Sequence, residues 1–280
     1  MFIHSKKSLG QHFLRNRGAL EKIVAAAELV PTDTVLEVGP GEGVLTALIL
    51  EHAEKVVAVE KDARLIPLLQ QKFSAEIASG KLELIHADIL NFNSTDYLLL
   101  TTDYKLVANL PYYITGQFLR MFLQNNAQPN MMVLLLQKEV AKRIVAADSK
   151  ESILSISVKC YGMPQYIGTV KAGSFSPPPK VDSAIVAIED ISKDFFRHHH
   201  PVPTGKSGHP SSVEEGISEE KFFSILKKGF AHPRKLLASN LGITSDILEK
   251  CGVEKKARAE NVYLLMTSRG WELSELAREV

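Results

Sequence analysis

Val35-Leu36-Glu37-Val38-Gly39-Pro40-Gly41-Glu42-Gly43-Val44 is an apolar, β-branched run that breaks into glycines at 39, 41 and 43 and resumes as a helix pattern. Such a strand, tight turn and helix lets bare backbone approach a ligand at the helix amino terminus, because glycine adds no side chain there. Outward from this stretch, short apolar runs alternate with helix-period segments from residue 34 to about residue 190. That rhythm predicts an α/β fold around a mainly parallel sheet. Strands are expected at Thr34–Val38, Lys55–Glu60, Lys81–His86, Lys105–Ala108, Asn130–Leu136, Tyr166–Val170 and Ser183–Glu189. Helices are expected at Val44–His52, Ala63–Phe73, Thr115–Asn125, Lys138–Ala147 and Ile153–Tyr161.

The glycine spacing separates two kinds of nucleotide site. A dinucleotide fingerprint counted from Gly39 and Gly41 needs a third glycine at position 44, which is Val44. Glu60 closes the second expected strand, 21 residues after Gly39, where a carboxylate accepts from ribose hydroxyls. Asp88 follows the third strand and reaches the same sheet edge. A glycine turn and two acids at successive strand ends describe an adenosine pocket without a pyrophosphate site, for which S-adenosylmethionine is the best candidate.

Asn109-Leu110-Pro111-Tyr112 follows the fourth expected strand, on that same edge. An exocyclic amino group on a base is a poor nucleophile because its lone pair is delocalised into the ring. The Asn109 side-chain carbonyl and the Leu110 backbone carbonyl would accept from its two N–H groups, with Pro111 fixing the chain and Tyr112 offering a stacking face. The methylated product is acidic and sheds its proton afterwards, so no Ser-His-Asp triad or metal cluster is required, and no metal site is expected.

The 280 residues carry a net charge of +1, with 45% hydrophobic and 23% charged residues, which excludes a wholly disordered chain, collagen and coiled coil. Only Cys160 and Cys251 are present, with no disulfide framework or paired-cysteine zinc spacing, so a cytoplasmic setting is expected. The amino terminus does not read as a secretory signal, and no apolar stretch approaches the roughly 18 residues of a membrane span. Residues 1–196 are read as the methyltransferase domain with a basic amino-terminal arm, 197–217 as a His-, Pro- and Gly-rich linker or surface loop, and 218–280 as a small all-α domain. Basic residues gather at Lys6, Lys7, Arg15, Arg17 and Lys22, and again at Lys221, Lys227, Lys228, Arg234 and Lys235, which suits phosphate contacts.

Six segments carry a resemblance to a known family: Leu9-Gly-Gln-His-Phe-Leu14, Glu37-Val-Gly-Pro-Gly41, Asn109-Leu-Pro-Tyr-Tyr-Ile-Thr115, Leu135-Leu-Gln-Lys-Glu-Val-Ala-Lys-Arg143, Phe175-Ser-Pro-Pro-Pro-Lys-Val-Asp-Ser183 and Gly229-Phe-Ala-His-Pro-Arg-Lys-Leu-Leu237. In them the sequence resembles the ribosomal RNA adenine N6,N6-dimethyltransferases, the family whose loss gives kasugamycin resistance. The resemblance implies a Rossmann-like S-adenosylmethionine-dependent methyltransferase domain with a small all-α C-terminal domain. It also implies methylation of two adjacent adenosines in the 3′-terminal hairpin loop of small-subunit rRNA, with an immature ribosomal subunit as the partner; a monomer without membrane attachment is the default expectation. Cofactor contacts then fall to His12, Leu14, Gly39, Gly41, Glu60, Asp88 and Asn109, with His12 standing where the family commonly has Asn. The reacting base falls to Asn109, Leu110, Tyr112 and Phe175, and RNA contacts fall to Arg143, Lys180, Arg234 and Lys235. The alternatives are a large-subunit adenine methyltransferase of the erythromycin-resistance type and a mainly non-catalytic ribosome-assembly factor.

Overall fold

The computed structural model describes residues 6, 10–92, 103–197, 218–250 and 253–261. The described residues divide between one compact unit within Met1–Val145 and Gly162–Ser192 and another within Ala146–Tyr161 and Lys193–Val280.

The first unit opens with β1 (Phe13–Leu14) and α1 (Arg17–Ala26), followed by β2 (Thr34–Val38), α2 (Val44–His52), β3 (Lys55–Glu60), α3 (Ile66–Lys72), α4 (Ser74–Ala78) and β4 (Leu82–His86). It continues with β5 (Tyr104–Asn109), α5 (Thr115–Leu123), β6 (Met131–Gln137) and α6 (Lys138–Val145). After α7 (Ile153–Lys159), a part of the other unit, come β7 (Met163–Val170), β8 (Phe175–Ser176) and β9 (Ser183–Glu189). Seven strands form one sheet in the order β4-β3-β2-β5-β6-β9-β7, parallel from β4 to β6, with β9 antiparallel to both of its neighbours. Its central strands are buried on both faces, as Val56 to Val59 and Val133 to Leu136 illustrate, which is why they read as continuous apolar runs.

Two helices differ from their sequence reading for identifiable reasons. The segment Ala63–Phe73 forms a helix only from Ile66, with Pro67 in its first turn, where a missing N–H costs nothing. Phe73 then leaves helical geometry at φ −115° and ψ 32°, and α4 follows as a separate piece. Helix α6 ends at Val145 because Ala146 adopts a left-handed φ of 53°. The β-branched segment at Ile153 is nonetheless helical, started by a reciprocal capping box between Ser152 and Ser155.

The amino-terminal region, read as a basic arm, contains the ten-residue helix α1. Asn16 caps it by accepting from the Ala19 amide, and Leu20 and Ile23 are buried in the core. Two of the arm's basic residues are already paired, Arg15 with Glu42 at 2.5 Å and Arg17 with Glu21 at 2.8 Å.

The second unit is helical among its described residues: α7, α8 (Asp194–Arg197), α9 (Glu219–Gly229), α10 (Leu237–Leu241) and α11 (Ser245–Lys250). Its extent differs from a single cut after residue 196, because Phe195 and Phe196 pack edge-on against Phe222 while Tyr161 stacks near Phe223. These aromatics tie residues on both sides of the expected linker into one core. Residues 198–217, which hold the histidine triplet, lie outside the described residues. Among the described residues no helix is long and apolar enough to cross a membrane.

The turn into α2 gives a direct test of packing. Gly43 has φ +71°, and a Cβ there would lie 2.5 Å from the Phe73 ring and 2.8 Å from Leu69. Gly80 has φ +79° with nothing within 4 Å of such a Cβ. Gly43→Ala is expected to lose about 2–4 kcal/mol in urea unfolding, and Gly80→Ala only the left-handed cost of about 1–2 kcal/mol.

Candidate functional site

In an open α/β sheet, ligands bind beyond the carboxyl ends of the strands where the strand order reverses. Here that point lies between β2 and β5, which pair in parallel with Val38 opposite Ala108. The residue after each partner is therefore Gly39 on one side and Asn109 on the other. Gly39, at φ +72°, is so close that a Cβ on it would sit 3.6 Å from the Asn109 backbone oxygen. A cleft enclosing about 1240 Å³, its open mouth included, begins at this junction and is lined by residues 10–14, the glycine turn, the ends of β3 and β4, residues 109–114 and Phe175.

Glu60 joins the glycine turn to β3. One carboxylate oxygen accepts from the Gly41 amide at 3.1 Å and the other from the Asp62 amide at 2.8 Å. Each oxygen keeps a second lone pair for a ligand. Burial raises the Glu60 pKa above its ordinary value; the Asp62, Gly41 and Lys61 amides work against that rise and the Asp62 charge adds to it. Asp88, at the end of β4, accepts from the Leu90 amide at 3.2 Å and pairs with Lys61 at 2.7 Å. Partial burial works to raise the Asp88 pKa, but the Lys61 ammonium and the amide outweigh it and hold it low.

The amino-terminal segment closes one side. Gln11 donates to Asp62 at 2.8 Å, and Asp62 is held well below the ordinary carboxylate range chiefly by the Arg64 guanidinium. His12 Nδ1 lies 2.8 Å from the Pro177 carbonyl. Since a carbonyl only accepts, Nδ1 carries the proton and Nε2 is left as an acceptor in the neutral ring. The His12 carbonyl receives the Asn109 side-chain amide at 3.4 Å, and no described residue hydrogen-bonds Asn109 Oδ1. Leu14 pairs with Phe175 through the two-residue strands β1 and β8.

Of the residues singled out from sequence, His12, Leu14, Gly39, Gly41, Glu60, Asp88, Asn109, Leu110, Tyr112 and Phe175 all line this one cleft. Leu110 and Phe175 are only 2% and 5% exposed, so any contact the Leu110 side chain makes is with core, and Phe175 is a core residue that also borders the cleft. Tyr112 is half-buried, its ring near-parallel to that of His12 with centroids 6.3 Å apart, and its hydroxyl 2.7 Å from Ser183. Arg143 and Lys180 are exposed on the first unit and Arg234 and Lys235 on the second, and none of the four lines the cleft. Sequence reasoning gave no role to Gln11, Glu37, Lys61, Tyr113 or Ser183. Gln11, Glu37, Tyr113 and Ser183 stand inside quoted segments, which was the available signal, whereas Lys61 carried none.

Glu37, on β2 beneath the glycine turn, is 1% exposed. Its Oε2 has no hydrogen-bond partner among the described residues, and Thr46 sits beside it without good bonding geometry. Burial is the main cause that pushes its pKa from an ordinary 4.5 up to about 7; Thr46 and Lys72 lower it, and the nearby Glu60 charge raises it. The folded protein thus holds a proton at Glu37 that the unfolded chain has lost between these two values. Stability from this group is complete below pH 4.5 and is lost as pH rises to about 7. Glu37→Gln is expected to match wild type in urea unfolding at low pH and to exceed it above neutrality by an amount on the order of 3 kcal/mol.

With this geometry, comparison with known proteins is informative. The family model described as ribosomal RNA adenine dimethylase matches residues 3–200. A protein of Dehalococcoides mccartyi strain 195, named ribosomal RNA small subunit methyltransferase A, is 41% identical over 93% of this chain and 85% of its own length. A protein of the same name from Fusobacterium nucleatum is 34% identical over 92% of both chains. Among solved structures, a dimethyladenosine transferase from Plasmodium falciparum superposes with a TM-score of 0.72 at 24% identity, covering 93% of this chain and 99% of that one. The 23S rRNA methyltransferase ErmE gives 0.69 at 24% identity, covering 95% and 98%. At such identities the two structures speak for the fold, that of Rossmann-like methyltransferases, while the family match and the two sequence relatives carry descent: this chain belongs to the ribosomal RNA adenine dimethylase family.

Proposed function

We propose that this chain is an S-adenosylmethionine-dependent rRNA adenine dimethyltransferase that modifies N6 of two adjacent adenosines in the 3′-terminal hairpin loop of small-subunit rRNA. The observation that carries the reading is Asn109 at the end of β5, beside the Gly39 turn, with its side-chain carbonyl unclaimed by any described residue. The names of the sequence relatives favour the small subunit over the large one. The working form that goes with this reading is a cytoplasmic monomer, unattached to membrane, acting on an immature subunit.

The residues present suit the cofactor. Gly39 and Gly41 leave backbone open where a side chain would intrude: a Cβ on Gly41 would lie 3.1 Å from the Phe13 ring. Glu60 offers free lone pairs to ribose hydroxyls, and Asp88 offers an acceptor at the adenine end. His12 and Leu14 would bound the methionine end. When bound, S-adenosylmethionine supplies an electrophilic methyl on a sulfonium.

The protein's share is positioning and acceptance. Asn109 Oδ1 and the Leu110 carbonyl take the two N6 hydrogens, drawing the nitrogen toward tetrahedral geometry with its lone pair directed at the methyl group. Pro111, at φ −57°, fixes the turn that presents these acceptors. Tyr112 and Phe175 bound the base, a contact worth about 1–3 kcal/mol per stacked base. After transfer the nitrogen is acidic and its proton leaves to water; the monomethylated nitrogen keeps one N–H, so the second methylation engages one of the two acceptors. The exposed Arg143 and Lys180, with Arg234 and Lys235 on the helical unit, would contact phosphates and set a salt-dependent affinity.

Labelled methyl transfer to immature small subunits lacking the modification, with large subunits in parallel, checks this reading. Nucleoside analysis is expected to give N6,N6-dimethyladenosine from small subunits alone, and Asn109→Ala is expected to lower the rate at least about a hundredfold through lost positioning. Label confined to large subunits would overturn the small-subunit reading, and full transfer by Asn109→Ala would overturn the role of Asn109.

A further inference from the structure

Ser183 is a polar side chain in an apolar place. It opens β9, pairs with Gln137 of β6 on one side and Val170 of β7 on the other, and is 0% exposed, as are Ala184 to Ile188 after it. A buried hydroxyl is costly unless hydrogen-bonded. The bond recorded for its hydroxyl is to the Tyr112 hydroxyl, 2.7 Å away and 71 residues earlier in the chain.

Among the described residues, the other hydrogen bonds that hold Tyr112 and its neighbours are at the backbone. Pro111 precedes it at φ −57°, the Ile114 amide donates to the Pro111 carbonyl at 3.2 Å, and the Thr115 hydroxyl donates to the Tyr112 carbonyl at 3.2 Å. These contacts set where the side chain starts but leave its torsions free. The bond to Ser183 holds the far end of the ring, so the phenol is anchored at both ends while its face stays on the cleft. The His12 ring, near-parallel at 6.3 Å and itself tied to the Pro177 carbonyl, limits movement from the other direction. A ring that must receive an extruded base gains by being immobile beforehand, because none of its rotamer freedom is then lost when the base arrives.

We infer that Ser183 is a positioning residue for methyl transfer, acting through its hydrogen bond to Tyr112 to hold that ring ready for the target base. This inference rests on the adenine-methylation reading of the cleft. Subunit binding draws on phosphate contacts elsewhere, so losing the anchor affects the turnover of bound subunits rather than their capture.

The test is a double-mutant cycle with Ser183→Ala, Tyr112→Phe and the pair, measuring kcat and KM on unmethylated small subunits, cofactor Kd by calorimetry and melting temperature. Each single variant removes the same bond and is expected to lower kcat about three- to tenfold, with KM and cofactor Kd unchanged. The double variant is expected to fall no further than the worse single one, since both changes delete one interaction. Wild-type kcat in Ser183→Ala, or losses that multiply in the double variant, would overturn the inference. Should Ser183→Ala melt lower or bind cofactor more weakly, Tyr112→Phe decides, because it leaves the residues of β9 unchanged: a three- to tenfold kcat loss there at unchanged melting temperature supports the anchor and a wild-type kcat refutes it. A wild-type enzyme that transfers no methyl to small subunits refutes the functional reading and this inference with it, whereas an active wild type with indifferent variants refutes the inference alone.

Discussion

The parallel pairing of Val38 with Ala108 is the constraint on which the cleft depends. The helix connections of β2 and β5 lie on the two sides of this pair, so their carboxyl ends meet where no crossover covers them. Gly39 and Asn109 are simply the next residues along, and their closeness follows from register rather than from any contact of their own. Register then spreads outward, since β3 pairs with β2 and β4 with β3, which brings Glu60 and the turn before Asp88 to the same edge. In strands of period two, a slip of one residue would move each of these side chains to the opposite face.

That edge is rich in acids, and the structure treats each differently. Glu60 is stabilised by two backbone amides, Asp62 by the Arg64 guanidinium and Gln11, and Asp88 by Lys61 and an amide. Glu37 Oε2 has no such partner among the described residues, and burial pushes the Glu37 pKa up to about 7. The polar groups of the cleft are therefore arranged before any ligand enters. The same arrangement ties the amino-terminal segment down, since Gln11 bonds to Asp62 just after β3 while His12 and Leu14 bond to the segment from Phe175 to Pro177.

Much of this was legible in the chain. Continuous apolar strands, glycines at 39, 41 and 43, and acids at strand ends follow from local rules: strands buried on two faces admit few polar residues, and a strand-to-helix turn with positive φ favours glycine. Asn109 to Tyr112 was legible for a similar reason, because a proline-fixed turn after a strand has its place set by sequence. Helix α1 was missed because its residues were read for charge, although Leu20 and Ile23 already marked a buried stripe. The stop at Phe73 was legible, whereas the late start at Ile66 and the separate helix α4 after Phe73 were missed, and the Phe73 ring packs where a side chain on the distant Gly43 would lie.

The sequence by itself determined the fold class, the edge of the sheet that holds the site, and the residue types available there, because each depends on short-range periodicity and turn chemistry. Only the tertiary structure decided the pairings: Gln11 with Asp62, His12 with Pro177, Lys61 with Asp88, and Ser183 with Tyr112. Three of these four join residues far apart in the chain, and their partners are fixed by strand order and by where loops cross the sheet edge. It also decided that Phe195 and Phe196 share a core with Phe222 and Phe223, an association across a long intervening segment that no local rule encodes. Burial is a property of the assembled sheet, so the raised pKa of Glu37 became visible only once every neighbour was in place.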